Sequence, residues 1–408
     1  MQTDRESRRQ LRNCSMNEYV MKNGKKLRRG LTTGTCAAAA ASAAAWDLLT
    51  GEVRKEVMLK LPDGQSVLLP VRKLQCAFGA EYAVTKDSGD DPDVTNGTEI
   101  RARAEFCYDA PENSFREEEF PGVCLQAGEG VGIVTKRGLE QNVGMPAINR
   151  IPRKMILSAA CEALENSDRE EEICITVSVP EGRKLARRTF NPMLGVEGGI
   201  SILGTTGIIE PMSEKAIVDT IALQIRQKKE EGRTVLVLVP GNYGKRYAEQ
   251  DLGLSSSAVV PCSNYIGESL DLAVASGFKK ILLIGNLGKL IKVAAGIMNT
   301  HSRVSDARWE IMAAYAGIHG ADASILRQIR ECATTDAMLE LLTEWKIRET
   351  VMEDLIRSLG QQLTRRTGDH AVCGSVVFSE QYGCLGQTAE AGEILEEMQK
   401  EQRREQEW

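Results

Sequence analysis

Four short segments rich in glycine and small polar residues stand out for the chemistry they allow. They read GTTG (residues 204–207), PGNYG (240–244), CSNYIGE (262–268) and GNLGK (285–289). Each follows a short run of Val, Ile and Leu. A glycine at a strand end lets the backbone approach a ligand closely, and the helix start after it offers free N–H groups. The residues so placed are Gly204, Thr205, Thr206, Gly241, Asn242, Tyr243, Gly244, Ser263, Asn264, Gly285, Asn286 and Gly288. Such loops suit a phosphate, a carboxylate, or a nucleoside with a carboxylate-bearing tail. None matches GxGxxG or the P-loop, which speaks against a dinucleotide or a nucleoside triphosphate. Taken singly, each loop also reads as an ordinary tight turn.

Two further segments carry titratable groups. KDSGDDPDVTNG packs Asp87, Asp90, Asp91 and Asp93 into seven residues. It lacks EF-hand spacing, so calcium is a poor fit; a self-capping solvated turn and a ligand-positioning or catalytic role for Asp91 remain. MNTHSRVSDAR places His301 beside Ser302, Arg303 and Asp306, a candidate for handling a proton. No local Ser-His-Asp or Cys-His signature is present.

The elements that must position these residues fall into two rhythms. The N-terminal half reads as α+β. VRKEVMLKLP and QSVLLPV flank an Asp-Gly turn, AEYAVTK and TEIRARAEF alternate, and VCLQAGEGVGIVT is a strand carrying glycines. A helix is predicted over 152–166, then a strand, ICITVSVP. Residues 107–120 read as an acidic surface excursion. Beyond residue 190, ISILG, TVLVLVPG, AVVPCS and KKILLIG alternate with helical segments, the pattern of a parallel sheet covered on both faces. Ligands of such sheets sit at the carboxyl ends of the strands. Residues after about 300 are mainly helical, with one late strand, AVCGSVVFS, returning to an earlier sheet.

The predicted fold class is therefore α/β with two domains, an N-terminal α+β domain and a parallel-sheet domain with flanking helices. The expected divisions are a basic tail (1–30), the α+β domain (31–190), the parallel-sheet domain (191–322), and a helical region with one returning strand and a charged tail (323–408). LTTGTCAAAAASAAAWDLLTG is unusual: eight alanines broken by one serine, with Thr33 or Thr35 as the expected cap and Gly51 as the stop. Alanine on every side buries little area but permits close approach, of another backbone or of a flat ligand.

Composition sets the outer limits. The 408 residues are 42% hydrophobic and 26% charged, with a net charge of −6, which argues against wholesale nucleic-acid binding. No apolar run reaches the roughly 18 residues of a membrane span, and no signal-peptide core is legible. Eleven cysteines are scattered without CxxC, and only three histidines occur, which speaks against a structural zinc site or a disulfide framework. A reducing cytoplasm is the expected location.

TTGTCAAAAA, KDSGDDPDVTNG, VGIVTKRGL, PAINRIPR, FNPMLGVEGGISILGTTGIIEPMSEKA, PGNYG, CSNYIGE and GKLIKVAAGIMNTHS occur in this order between residues 27 and 322. Together they resemble the cobalt-precorrin-5B C1-methyltransferase family, the CbiD type. Asn286 is a departure, since the resemblance leads one to expect histidine there. The family implies S-adenosylmethionine as methyl donor and a cobalt-containing, ring-contracted tetrapyrrole as acceptor, methylated at C1 to cobalt-precorrin-6A in anaerobic cobalamin biosynthesis. On that reading the donor lies on the 191–322 sheet and the tetrapyrrole in a cleft between domains. Asp91 and His301 are the catalytic candidates. Thr32, Thr33, Thr35, Lys86, Asp87, Asp90, Arg150, Arg153 and Lys289 are the candidates for holding the acceptor and its carboxylates. The alanine helix is then a surface under the macrocycle. The cobalt arrives with the substrate, so no protein metal site is implied, and neither nucleic acid nor membrane is an expected partner. A nicotinamide-dependent tetrapyrrole reductase and a non-catalytic corrinoid-binding protein are the alternatives.

Overall fold

Residues 99–106, whose burial alternates, pair antiparallel with the mostly buried 80–85, two strands that the sequence predicts, and the first sheet grows around them. In the computed structural model, which describes residues 19–22, 24–109 and 111–406, this sheet has five strands. They are β1 (Arg72–Leu74), β2 (Ala80–Thr85), β3 (Glu99–Phe106), β4 (Val123–Ala127) and β5 (Ile173–Ser178), in the order β1-β2-β3-β5-β4. Only β4 and β5 run parallel, joined through helix α2 (Arg150–Glu165). The predicted Asp-Gly hairpin forms separately from Glu56–Lys60 and Ser66–Pro70.

Helix α1 (Thr33–Thr50) is the centre of this unit. It packs against α2 and across β2 and β3, and Ala37 to Ala41 and Ala43 to Ala45 have no solvent exposure. Because every face is alanine, two layers approach it at once. This overturns the reading of α1 as a ligand-facing surface: its smoothness serves backbone-to-backbone packing. The cap is Thr32, not Thr33 or Thr35; its hydroxyl accepts from the Thr35 amide. Gly51 ends the helix at φ 75°, a left-handed conformation suited to glycine.

The second unit begins at Glu214. Its sheet contains β6 (Val235–Val239), β7 (Val259–Pro261), β8 (Lys280–Asn286), β9 (Val372–Ser379) and β10 (Gly383–Gln387), in the order β7-β6-β8-β9-β10. The first four are parallel and β10 closes the edge antiparallel. β6 is buried along its whole length, which explains its unbroken Val/Leu run. The flanking helices include α3 (Glu214–Glu230), α4 (Asn242–Gln250), α5 (Ile266–Ala275), α6 (Leu287–Ala294) and α7 (Arg308–Ile318). They continue with α8 (Ala323–Glu331), α9 (Thr335–Glu344), α10 (Arg348–Thr367) and α11 (Ala391–Gln406). Among the described residues, no helix is long and apolar enough to cross a membrane.

The expected divisions shift in three places. The chain divides between Ser213 and Glu214, not after residue 190. ISILG is no strand of the parallel sheet; Ile200 and Ile202 bridge to Val131 and Ile148 in the first unit. The helical region after 322 belongs to the second unit, because α10 packs on α6 and β9. The termini are also less free than expected. Residues 1–18 lie outside the described residues, but Gly30–Leu31 pairs with Ile208–Ile209. The acidic and basic C-terminal segment is amphipathic: Ala391, Ile394 and Met398 are buried against the sheet, and Lys280 binds Glu393 and Glu397.

Candidate functional site

Strand order in the second unit reverses between β6 and β8, because β7 was laid on the opposite side of β6. Open α/β sheets bind ligands outside the strand carboxyl ends at such a reversal. PGNYG follows β6 and GNLGK spans the end of β8, so the two loops meet there: Pro240 Cγ lies 3.0 Å from where a Cβ on Gly285 would stand. Gly241 precedes α4 with φ 100°, and a Cβ on it would meet only Lys289 Nζ, at 3.4 Å. Gly244 is different. A Cβ there would lie 2.9 Å from the Ile284 carbonyl, so this glycine serves helix-on-strand packing. Tyr243 is largely exposed, with the Arg246 guanidinium 5.2 Å from its ring centroid.

Lys289 is the charged group of this cluster. Its ammonium donates to the Ser263 carbonyl at 3.3 Å. Burial holds its pKa below the usual lysine range, and the neighbouring Lys292 adds to the effect. Ser263 itself has φ 54°, a left-handed conformation that costs a non-glycine residue free energy. Asn286, at the position where histidine was expected, caps α6: its Oδ1 accepts the Gly288 amide at 2.8 Å. That bond satisfies the Gly288 amide and fixes the turn beside Lys289.

His301 stands on a loop tied to the same strand ends. Thr300 donates its amide to the Asn264 carbonyl at 3.0 Å, and Asn299 bridges Tyr265. His301 Nδ1 accepts the Arg303 amide at 3.1 Å, so the neutral ring carries its proton on Nε2. Sequence reasoning missed Lys292, which anchors this loop. Its buried ammonium donates to the carbonyls of Thr300 (3.1 Å) and Ser305 (2.8 Å). A lysine inside the apolar run LIKVAA was the available signal.

The other candidates gather in the first unit. Thr33 Oγ1 donates to the Leu203 carbonyl and accepts the Leu203 amide, at 3.1 and 2.9 Å. Thr35 Oγ1 donates to the Gly207 carbonyl at 2.7 Å, and Gly204 lies so close to Thr32 that a Cβ would overlap its hydroxyl. The threonines and the GTTG loop, expected at two different ligands, are thus partners that latch α1 to residues 203–207. Gly204, Thr205 and Thr206 end no parallel strand, and Thr206 closes a local turn onto the Ile208 carbonyl.

The acidic loop docks on the same latch. Asp87 takes the Arg28 guanidinium, Asp90 accepts the Arg28 amide at 2.6 Å, and Asp91 accepts the amide of Met212 at 3.0 Å. Met212 has φ 54°, the first unit's counterpart of Ser263. Lys86 is fully buried and donates to Ser88 Oγ (2.7 Å) and Asp93 Oδ2 (2.6 Å). Burial pushes the Asp93 carboxyl up, but Lys86 and Thr95 together bring it below the usual range. Arg28 holds Asp87 low in the same way, through a hydrogen-bonded pair. Arg153 is committed to Glu117 at 2.6 Å and stacks over Phe115. Arg150 is exposed at the start of α2. Lys86 and Arg153 are therefore internal ties in this structure, where carboxylate capture was expected of them.

Fold and strand-end chemistry define an α/β protein whose glycine-bearing loops meet at a topological switch point, beside amide side chains and the half-buried ammonium of Lys289. Residues 20–211 match the CbiD family model, and residues 299–389 match the model of the CbiD C-terminal domain. The chain belongs to the CbiD family. Among its relatives, the cobalt-precorrin-5B C(1)-methyltransferase of Alkaliphilus metalliredigens is 40% identical over 95% of this chain and 99% of its own. The proteins of that name from Moorella thermoacetica and Thermoanaerobacter sp. are 42% and 44% identical, over 91% and 80% of this chain and 97% and 86% of theirs. A solved structure of cobalamin biosynthesis protein (cbiD) from Archaeoglobus fulgidus is 26% identical, covers 71% of this chain and 88% of its own, and has a TM-score of 0.38.

Proposed function

We propose that this protein is a cobalt-precorrin-5B C1-methyltransferase that uses S-adenosylmethionine, with the donor in the β6–β8 crevice of the second unit. The observation that carries the activity is the shared name of relatives aligned over nearly their whole length. It speaks for methyl transfer over the nicotinamide reductase and the non-catalytic corrinoid binder.

The crevice residues fit a donor with a carboxylate tail. Lys289 offers ammonium protons that a single carbonyl does not exhaust, and it lies against Gly241, the glycine whose missing side chain leaves the approach open. The first turns of α4 and α6 add backbone N–H groups. The exposed ring of Tyr243 supplies a flat apolar face beside them.

Bound there, a sulfonium supplies a methyl group already activated for attack by an electron-rich ring carbon. The methyl group would pass to that carbon as its bond to sulfur broke, leaving the electron pair on sulfur. Charge is dispersed rather than created, so the protein's work is alignment and exclusion of water. This fits a site with one histidine and no paired carboxylates. His301, with Nδ1 occupied, has Nε2 for any proton movement. Asp91 holds Met212 and acts by positioning the loop.

Calorimetry with S-adenosylhomocysteine tests the donor half of the proposal. Micromolar or tighter binding is expected, about −8 kcal/mol, and NADH should give no heat. Tighter binding of NADH than of the donor product would overturn it. Single-turnover transfer of labelled methyl to the acceptor separates an enzyme from a binder: acceptor bound without label incorporation defeats the activity.

A further inference from the structure

The first sheet brings together three cysteines that are 17 and 50 residues apart in sequence. Cys174 on β5 stands beside Cys124 on its parallel neighbour β4. Cys107 directly follows β3, where its amide donates to the Glu172 carbonyl at 2.8 Å and continues the pairing with β5. The three sulfurs lie within 4.8 Å of one another, and those of Cys107 and Cys124 are 3.7 Å apart. All three are free thiols. Two thiolates on one tetrahedral zinc ion, at bond lengths of about 2.3 Å, stand roughly 3.8 Å apart. The Cys107–Cys124 separation is close to that value, the third sulfur lies within 4.8 Å of both, and all are well beyond the about 2.0 Å of a disulfide.

Burial is graded in a way that suits such a site. Cys124 and Cys174 are buried, while Cys107 is half-buried. The inner sulfurs are shielded from competing water, and the Cys107 side admits an ion and a fourth ligand from solvent. The nearby charges, Arg116 and Glu172, are paired with each other at 2.8 Å, so neither leaves an uncompensated charge against the cluster.

We propose that Cys107, Cys124 and Cys174 form a binding site for a soft divalent cation of the zinc class. Each thiol releases its proton to solvent as its sulfur bonds the ion, and the fourth position is filled by a solvent ligand. The ion would clasp the ends of three strands and the start of the 107–120 excursion. It lies in the first unit and takes no part in the strand-end crevice of the second.

Cadmium is the probe. The full chain, reduced and stripped of metal, is titrated with Cd²⁺ while the ultraviolet thiolate-to-cadmium charge-transfer band is recorded. One equivalent is expected to produce the band. Cys107→Ser should weaken Cd²⁺ binding beyond the roughly 10–100-fold that loss of a mere supporting group costs. Cys384→Ser, at an exposed position on β10, should leave it unchanged. Absence of the band, undiminished Cd²⁺ affinity in Cys107→Ser, or loss of the band in Cys384→Ser overturns the site. If Cys107→Ser does not fold, alkylation of the unmodified chain decides instead. Cd²⁺ should protect Cys107 but not Cys384, and equal labelling of Cys107 with and without the ion would defeat the proposal.

Discussion

Lys289 carries a positive charge into a place where burial already disfavours it, and such a group is retained at a cost to stability. Its pKa is lower in the folded chain than the usual lysine value of about 10.4. The folded state therefore releases this proton before the unfolded state does, and between those two values stability rises with pH. Lys289→Met removes the charge and keeps an unbranched apolar stem. Its melting temperature is expected to equal or exceed that of the parent chain near neutral pH. Affinity for S-adenosylhomocysteine is expected to fall at least about tenfold, the loss of one charge-assisted bond of roughly 1.5–3 kcal/mol. Calorimetry and a thermal melt on the same sample check both; unchanged affinity would remove Lys289 from the site. The position of Lys289 at the end of GNLGK was legible in the sequence. Its contact with Gly241 was not, because the two loops meet only after β7 has crossed to the far side of β6.

Helix α1 shows how a strongly marked element can have an unmarked role. Its alanine run and Gly51 announce a helix and its end, and both stand in the structure. Which partner lies against it depends on α2 and on β2 and β3, which come 30 to 130 residues later in the chain. Close packing on several faces leaves no room for growth. Ala39→Leu should cost about 1–3 kcal/mol by overpacking, seen as a lowered melting temperature, with donor affinity in the second unit unchanged once the folded fraction is counted. A variant that keeps its melting temperature and loses acceptor binding would restore the ligand-facing reading. The latch at the start of α1 follows the same logic. Thr32 and Thr35 face each other at 3.0 Å and reach a segment about 170 residues away, so threonine spacing alone pointed to a cap and not to its partner.

At the scale of the whole chain, the two units respond to acid differently. Among the described carboxylates, Asp87, Asp93, Glu99, Glu119 and Glu210 in the first unit titrate below their ordinary range, and Asp306 alone does so in the second. A carboxylate with a lowered folded pKa contributes stability above its unfolded value, about 3.9 for Asp and 4.3 for Glu, and loses it as pH falls through the folded value. The first unit should therefore loosen first below about pH 4. Hydrogen exchange, corrected for the intrinsic rate at each pH, should show residues 86–98 opening before β6 and β8. Simultaneous opening of both units would contradict this. Asp93→Asn should shift the opening of 86–98 to higher pH, since it leaves buried Lys86 without its counter-charge.

Short-range order was determined by the sequence alone. Alternation marked β2 and β3, unbroken apolar runs marked β6 and β8, and glycines marked the strand ends after β6 and β8, because each signal depends on neighbours within one element. The family motifs lie in the same short segments. Tertiary structure decided what those segments meet. It drew residues 191–213 into the first unit, buried Lys86 against Asp93, turned the GTTG loop into the partner of Thr32, Thr33 and Thr35, and set Cys107, Cys124 and Cys174 side by side. None of these pairings has a fixed sequence spacing. They follow from strand order and from burial of the alanine helix, which are properties of the assembled unit and of no single stretch within it.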